Sequence, residues 1–304
     1  METRSDEVIR AIKHEFASFA GTGGVAAKHL GTGEQIQVNA DAETATASTI
    51  KVPILIELYR QVENGLVRLD DRLVVSEGTR APGSGILRDL SLGVELSVED
   101  LATLMIVVSD NTATNMLIDL VGLDHVNDTM AALSFPRTRL LQRLDFPELG
   151  ADARRLAVTT PSDLAGIMEK LATGSTGSRE SCEAILDIMR RQHYRDLVPR
   201  YLPFFPYATE LGQPDNGLRI ANKTGGWLGM RADMALVEWP GPSGDMRYVI
   251  GIGIERDPDT RFWAENAGDR LIGRISRLVF DYFGGSAIEA GPRKATQVLP
   301  TGLG

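Results

Sequence analysis

Apolar residues recur at helical spacing from the start of the chain: Val8, Ile9, Ile12, Phe16 and Phe19 predict an amphipathic helix over residues 5–20, closed by Gly23-Gly24. Residues 24–29 and 34–39, joined around Gly31-Thr32-Gly33, then predict a hairpin. A mostly helical stretch follows. A helix over 49–63 is stopped by Asn64-Gly65, and Ser97-Val98-Glu99-Asp100 caps another that runs to about Val108. Thr160-Pro161-Ser162-Asp163, with proline at the first helical position, opens a helix over 164–171. Near residue 217 the period changes. Segments 218–223, 232–238 and 248–255 read as strands separated by glycine-rich turns, and a last helix spans about 260–283.

Helices segregated from strands predict an α+β chain, not an alternating βαβ one. The expected organisation is a sheet subdomain built from both chain ends, 1–45 and 200–286, around a helical subdomain, 46–199, with a loose tail at 287–304. Composition narrows the function. The 304 residues carry a formal net charge of −9, so no basic stripe is available for nucleic acid. No apolar run approaches the ~20 residues of a membrane helix. One cysteine, Cys182, excludes a disulfide framework, and His14, His29, His125 and His193 make no metal-ligand spacing. No cofactor or metal is expected, and the expected partner of a monomer is a small-molecule substrate. The N-terminus has neither a basic region nor an apolar core, so it is not a signal peptide. That predicts a cytoplasmic protein if Met1 is the native start, and a periplasmic or secreted one if a leader has been removed.

Three short motifs carry candidate chemistry. Ser48-Thr49-Ile50-Lys51 opens a predicted helix and puts serine and lysine one turn apart on one face. The helix end favours a developing oxyanion there, and a desolvated lysine can take a hydroxyl proton. Ser109-Asp110-Asn111 ends a buried helix, and Lys223-Thr224-Gly225-Gly226 ends a predicted strand, where lysine and threonine suit a carboxylate. Each alone is an ordinary cap or turn. Together, each occurring once and in this order, they point to one site. Only six residues are lysine, leaving 26 arginines among the 32 basic residues, yet lysine holds both motif positions. Arginine could not replace a lysine base, because it does not lose its proton.

This triplet resembles the signature of class A β-lactamases and penicillin-recognising serine hydrolases, and the resemblance extends over roughly residues 9–283. It implies a β-lactamase/transpeptidase-like fold, with an antiparallel sheet flanked by helices. It also implies a hydrolase that opens a β-lactam amide through an acyl-serine. Ser48 would be the nucleophile and Lys51 its proton acceptor. Ser109, assisted by Lys223, would pass a proton to the leaving nitrogen, and Asn111 would bond the substrate side-chain amide. Lys223 and Thr224 would hold the substrate carboxylate in the Gly225-Gly226 stretch, with Ser48 and Gly226 N–H groups forming the oxyanion hole.

One stretch departs from the family. Class A enzymes deacylate with a glutamate in an arginine–x–glutamate–x–x–leucine–asparagine pattern, whereas this chain reads Arg143-Leu144-Asp145-Phe146-Pro147-Glu148-Leu149-Gly150. Anchored on Arg143, Asp145 becomes the catalytic base; anchored on Pro147-Glu148-Leu149, Phe146 falls there. The family's aspartate before Thr159-Thr160-Pro161 is absent, since Leu156-Ala157-Val158 stand there, so the active-site loop 143–161 loses its usual closing pair. Slow deacylation is therefore expected, with Asp145 as the supporting carboxylate and Glu148 the alternative. Trp227 would be a packing residue or a stacking wall, and Arg219 or Arg231 a further carboxylate ligand. The alternatives are a D-Ala-D-Ala peptidase or small esterase on the same fold, or a non-catalytic β-lactam-binding protein.

Overall fold

A computed structural model describes residues 3–241, 244–285 and 288. In chain order the elements are helix α1 (Arg4–Ala17), strands β1 (Thr22–His29), β2 (Gln35–Val38) and β3 (Thr44–Ala45), helix α2 (Lys51–Glu63), strands β4 (Arg72–Val74) and β5 (Glu95–Ser97), and helices α3 (Val98–Val107), α4 (Asn111–Val121) and α5 (Leu123–Ala132). Strand β6 (Arg139–Leu140), the short helix α6 (Phe146–Leu149), strand β7 (Ala157–Thr159) and helices α7 (Pro161–Ala172) and α8 (Arg179–Arg190) follow. Strands β8 (Arg219–Trp227), β9 (Met230–Gly241) and β10 (Gly244–Glu255) and helix α9 (Ala267–Tyr282) complete the chain.

The main sheet has the order β2-β1-β10-β9-β8, with antiparallel neighbours throughout. Its strands read as almost continuous apolar runs because both faces are covered, and alternate residues feed two different cores. Ala235, Val237, Ile250 and Ile252 pack with Ile12, Leu271, Ile275 and Val279 of α1 and α9. Met234, Leu236 and Val249, one residue out of phase, join the larger core built on α2, α3, α4 and α7. Helix α2 lies deepest there. It is apolar nearly all round, burying Val52, Ile54, Leu55, Ile56 and Leu58, as a helix surrounded by others must. The small sheets β3-β7-β6 and β4-β5 brace the helical side. Among the described residues no helix is long and apolar enough to cross a membrane.

The α+β architecture and the 24–39 hairpin agree with the sequence pattern, as do the capping box on α3 and the proline start of α7; Thr160 caps α7 from one side only, because the Asp163 carboxylate accepts from Arg137 and Thr138 instead of the Thr160 N–H. Four boundaries move. Helix α1 stops at Ala17, so Gly23 and Gly24 lie inside β1; a Cβ on Gly24 would run into the Asn39 carbonyl. The expected 49–63 helix begins at Lys51, after a 3-10 turn over Ala47–Ile50. Lys223 to Gly226 lie within β8 and not at its end, because the strand continues to Trp227 and turns only at Leu228-Gly229. Helix α9 begins at Ala267 under an Asn266 cap, not at Thr260, since Asp257 and Asp259 accept bonds from the Asp259 and Arg261 backbone and hold that stretch as a loop. The tail over 287–304 lies outside the described residues apart from Ile288.

Helix α7 can lie on the sheet only because residue 251 has no side chain. A Cβ there would stand 2.5 Å from the Pro161 carbonyl oxygen and 2.6 Å from the Ala165 nitrogen, both backbone atoms that cannot step aside. Gly251→Ala is therefore expected to destabilise the fold by about 1–3 kcal/mol, read by denaturant titration. A midpoint matching the parent would show that α7 is free to shift.

Candidate active site

Ser48 sits in the 3-10 turn between β3 and α2. The turn is held by Thr46, whose N–H donates to Ala157 O and whose carbonyl accepts from the Thr49 N–H and hydroxyl. Ala47 adopts φ +42°, a left-handed conformation costly for a residue with a Cβ. Strand β8 passes directly over this turn. A Cβ at Gly225 would meet Thr46 O at 2.5 Å and the Ser48 nitrogen at 3.0 Å, so glycine is required for the strand to approach the Ser48 backbone.

Lys51, the first residue of α2, is 1% exposed. Its ammonium donates to Ser109 O at 2.7 Å, Ser109 Oγ at 3.0 Å and Asn111 Oδ1 at 2.8 Å. Lys223, fully buried on β8, donates to the same Ser109 Oγ at 3.1 Å and to Thr224 O at 2.7 Å. Two buried lysines thus converge on one hydroxyl. Ser109 is itself strained at φ +53° and is followed by Asp110. That buried carboxylate caps α4 through Ala113 N and takes the Ile86 and Leu87 N–H groups at 2.6 and 2.8 Å. The bonds to Ile86 and Leu87 fix a loop whose Ser84 hydroxyl donates to Ser109 O.

Desolvation sets the charges. Burial pushes Lys51 well below the ordinary lysine range; the Lys223 charge pushes the same way and Asp110 opposes. Burial brings Lys223 down to about 7 against the pull of Asp233 and Asp196. Asp233, on β9 opposite Thr224, is buried completely and raised to about 7 by that burial; bonds from Val198 N and Asn222, and the Lys223 charge, oppose the rise.

Two cavities, of about 480 and 470 Å³, meet at Ser48, Ser84, Gly226 and Phe262. The first is the one with charged groups in its walls, Arg200, Asp196 and Asp269 beside Thr224 and Gly225, together with the apolar Leu197, Phe262 and Trp263. The second is lined mainly by Leu144, Phe146, Leu156, Trp227 and Leu228, with no ionisable side chain among its described lining residues. Phe146 and Trp227 face each other with ring centroids 4.8 Å apart.

Ser48, Lys51, Ser109, Asn111, Lys223, Thr224, Gly225 and Gly226 are therefore brought together. Asp145 and Glu148 are not. The Asp145 carboxylate caps α6 by accepting the Glu148 N–H, Glu148 is exposed, and neither lines the cavities, whereas Phe146 does. Arg219 pairs with Asp215 away from both cavities. Arg231 does line the first one, but its guanidinium is spent on Asp269 and on the Trp227, Met230 and Arg261 carbonyls. The loop over 143–161 is closed by contacts that the motifs do not reveal. Asn115 exchanges two amide bonds with the Leu144 backbone. Arg154 binds Glu255 at 2.6 Å and the Glu43 carbonyl, while Glu255 also accepts the Ala45 N–H.

A family described as the "Beta-lactamase enzyme family" matches residues 7–283. The structure of a β-lactamase from Sphaerobacter thermophilus superposes with TM-score 0.80 at 34% identity, covering 91% of this chain and 97% of that one. The structure of PBP-A superposes with TM-score 0.77 at 30% identity, covering 91% and 96%. A β-lactamase from Rhodobacter capsulatus is 23% identical over 254 residues, 83% of this chain and 80% of its own length. A β-lactamase regulatory protein from Streptomyces cacaoi is 27% identical over 117 residues, and this match spans only 38% of each chain.

Because the folded state holds Lys223 near 7 and the unfolded chain near 10.5, the unfolded state binds more protons between those values. This residue's cost to stability is thus largest below about pH 7 and shrinks as pH rises toward 10.5. Lys223→Met should therefore raise the melting temperature, relative to the parent, more at pH 6 than at pH 9. A difference independent of pH would mean that Lys223 keeps an ordinary lysine affinity for its proton.

Proposed function

The chain belongs to the β-lactamase enzyme family, and from that premise we propose a hydrolase that opens a β-lactam amide through an ester on Ser48. The observation that carries the reading is the convergence of two buried lysines on Ser109 Oγ beside the Ser48 turn. Lys51, whose neutral amine form is favoured by desolvation, takes the Ser48 hydroxyl proton as Oγ attacks the carbonyl carbon. The Ser48 and Gly226 N–H groups receive the oxyanion, where one such donor typically contributes about 2.7–4 kcal/mol. As the C–N bond breaks, Ser109 gives its proton to the leaving nitrogen and is reprotonated from the lysine pair. Lys223 and Thr224 hold the substrate carboxylate in the cavity with charged walls.

Hydrolysis of the ester is the slow step in this reading. The placement of Phe146, with Asp145 committed to a helix cap, supports it, since neither Asp145 nor Glu148 lines the cavities at Ser48 to take a proton from an attacking water. The same observation favours a second reading, in which a D-Ala-D-Ala peptidase or small esterase uses the same acyl-serine chemistry.

Intact mass spectrometry after mixing with benzylpenicillin should show a mass gain of one penicillin that persists over many minutes. Ser48→Ala should show none while keeping the parent's melting curve, and labelling of that variant would remove Ser48 as nucleophile. Lys51→Arg should acylate at least about a hundredfold more slowly, because it keeps the charge but cannot accept a proton. Near-parental acylation by it would reduce Lys51 to an electrostatic partner. If Asp145 leaves its cap to serve the ester, Asp145→Asn should lengthen the adduct's lifetime, with Glu148→Gln as the control. A reversed pattern would assign that role to Glu148.

A further inference from the structure

The loop over 81–87 is fastened along its length to the Ser109–Thr112 segment. The Ala81 N–H donates to Thr112 Oγ1 at 3.1 Å, and the Asn111 side-chain amide donates to Pro82 O at 2.8 Å. The Asn111 N–H donates to Ser84 O at 3.0 Å, and Asp110 takes the Ile86 and Leu87 N–H groups. Ser84 stands at the centre of this loop between two glycines of positive φ, +91° at Gly83 and +102° at Gly85. A Cβ at Gly83 would lie 2.7 Å from Asn111 Nδ2, and one at Gly85 would run into the Asp110 carboxylate. The loop therefore delivers one hydroxyl, rigidly held, to the place where the two cavities meet.

That hydroxyl is not what holds the loop, since the bonds through Asn111, Asp110 and Thr112 already do so. Its one proton goes to the Ser109 carbonyl at 2.8 Å, with Asn111 Oδ1 3.5 Å away. These two oxygens are also acceptors of the Lys51 ammonium, at 2.7 and 2.8 Å. A carbonyl bonded by one donor holds a second less strongly. We propose that Ser84 is a positioning residue for the proton path: by sharing the Ser109 carbonyl it loosens that oxygen's hold on charged Lys51, easing the lysine into the amine form that takes the Ser48 proton. This inference rests on the acyl-enzyme reading above.

Without the hydroxyl, Ser109 O accepts from Lys51 alone, the charged form gains, and the lysine keeps its proton to higher pH. The other charges facing Lys51 stay in place: Lys223 from β8 and Asp110 from the α4 cap, with Asp233 of β9 and Asp196 behind Lys223.

Two readouts on the full chain test this. In protein carrying carbon-13 at lysine Cε, the Lys51 resonance is assigned by its loss in Lys51→Arg. It should titrate about 0.5–1 pH unit higher in Ser84→Ala than in the parent, the size of one hydrogen bond's net contribution. Ser84→Thr, which keeps a hydroxyl, should titrate with the parent. The acidic limb of the second-order rate of acylation by benzylpenicillin should move by the same amount. Ser84→Ala is then about three- to tenfold slower on that limb and close to the parent above it. An unmoved Lys51 midpoint in folded Ser84→Ala protein, or a rate lost equally at every pH, would overturn the role of Ser84. A parent that forms no adduct at any pH overturns the acyl-enzyme reading, while the Lys51 titration still decides whether Ser84 competes for its acceptor.

Discussion

Burying two lysine side chains against a single serine hydroxyl is the constraint to which the rest of the molecule is fitted. Each ammonium taken out of water costs several kcal/mol unless it is bonded and partly neutralised. The surrounding fold supplies those partners: the Ser109 and Thr224 carbonyls, Asn111, and the carboxylates Asp110 and Asp233 set just behind. None of these is at a surface where it could drift. Asp110 is fixed by three backbone N–H groups and Asp233 by Val198 and Asn222, so the electrostatic environment is as rigid as the core beneath it. The strained backbone at Ala47 and Ser109 is tolerated because α2, α4 and β8 over-determine both positions.

Much of this site was legible before any coordinates. Chemistry that depends on residue type and short spacing shows itself in sequence, and Ser48–Lys51 at a helix start, Ser109–Asn111 at a helix end and Lys223–Gly226 near a strand end are of that kind. Chemistry that depends on which way a loop faces does not. Two registers of residues 143–150 were compatible with the motif, and the choice is made by packing: Leu144 is pinned by Asn115, which turns Phe146 toward Trp227 and leaves Asp145 to cap α6. Asp233 escaped notice for a different reason. It sits between the buried Ala232 and Met234 of β9, and only the register opposite Thr224 reveals that it backs Lys223. The extension of β8 through two glycines was missed because glycine at a strand end normally signals a turn, whereas here Gly225 signals close approach to the Ser48 turn.

The loop's closure is likewise invisible to local pattern, since Arg154 and Glu255 lie 101 residues apart. Their pairing supplies an anchor in a chain that lacks the expected aspartate before Thr159. A single exposed ion pair contributes little, but this one is half-covered and shares its carboxylate with a backbone N–H.

That shared carboxylate ties two parts of the molecule into one mechanical unit. Glu255 holds the Ala45 N–H, three residues before Ser48, and the Arg154 guanidinium, which belongs to the 143–161 loop. Order in the loop and order in the Ser48 turn are then coupled, with Glu255, the last residue of β10 and paired with Thr22 of β1, as their common post. Warming that frees the loop slackens the support of the Ser48 turn, so the order of the site is lost through a local event while both cores are still intact.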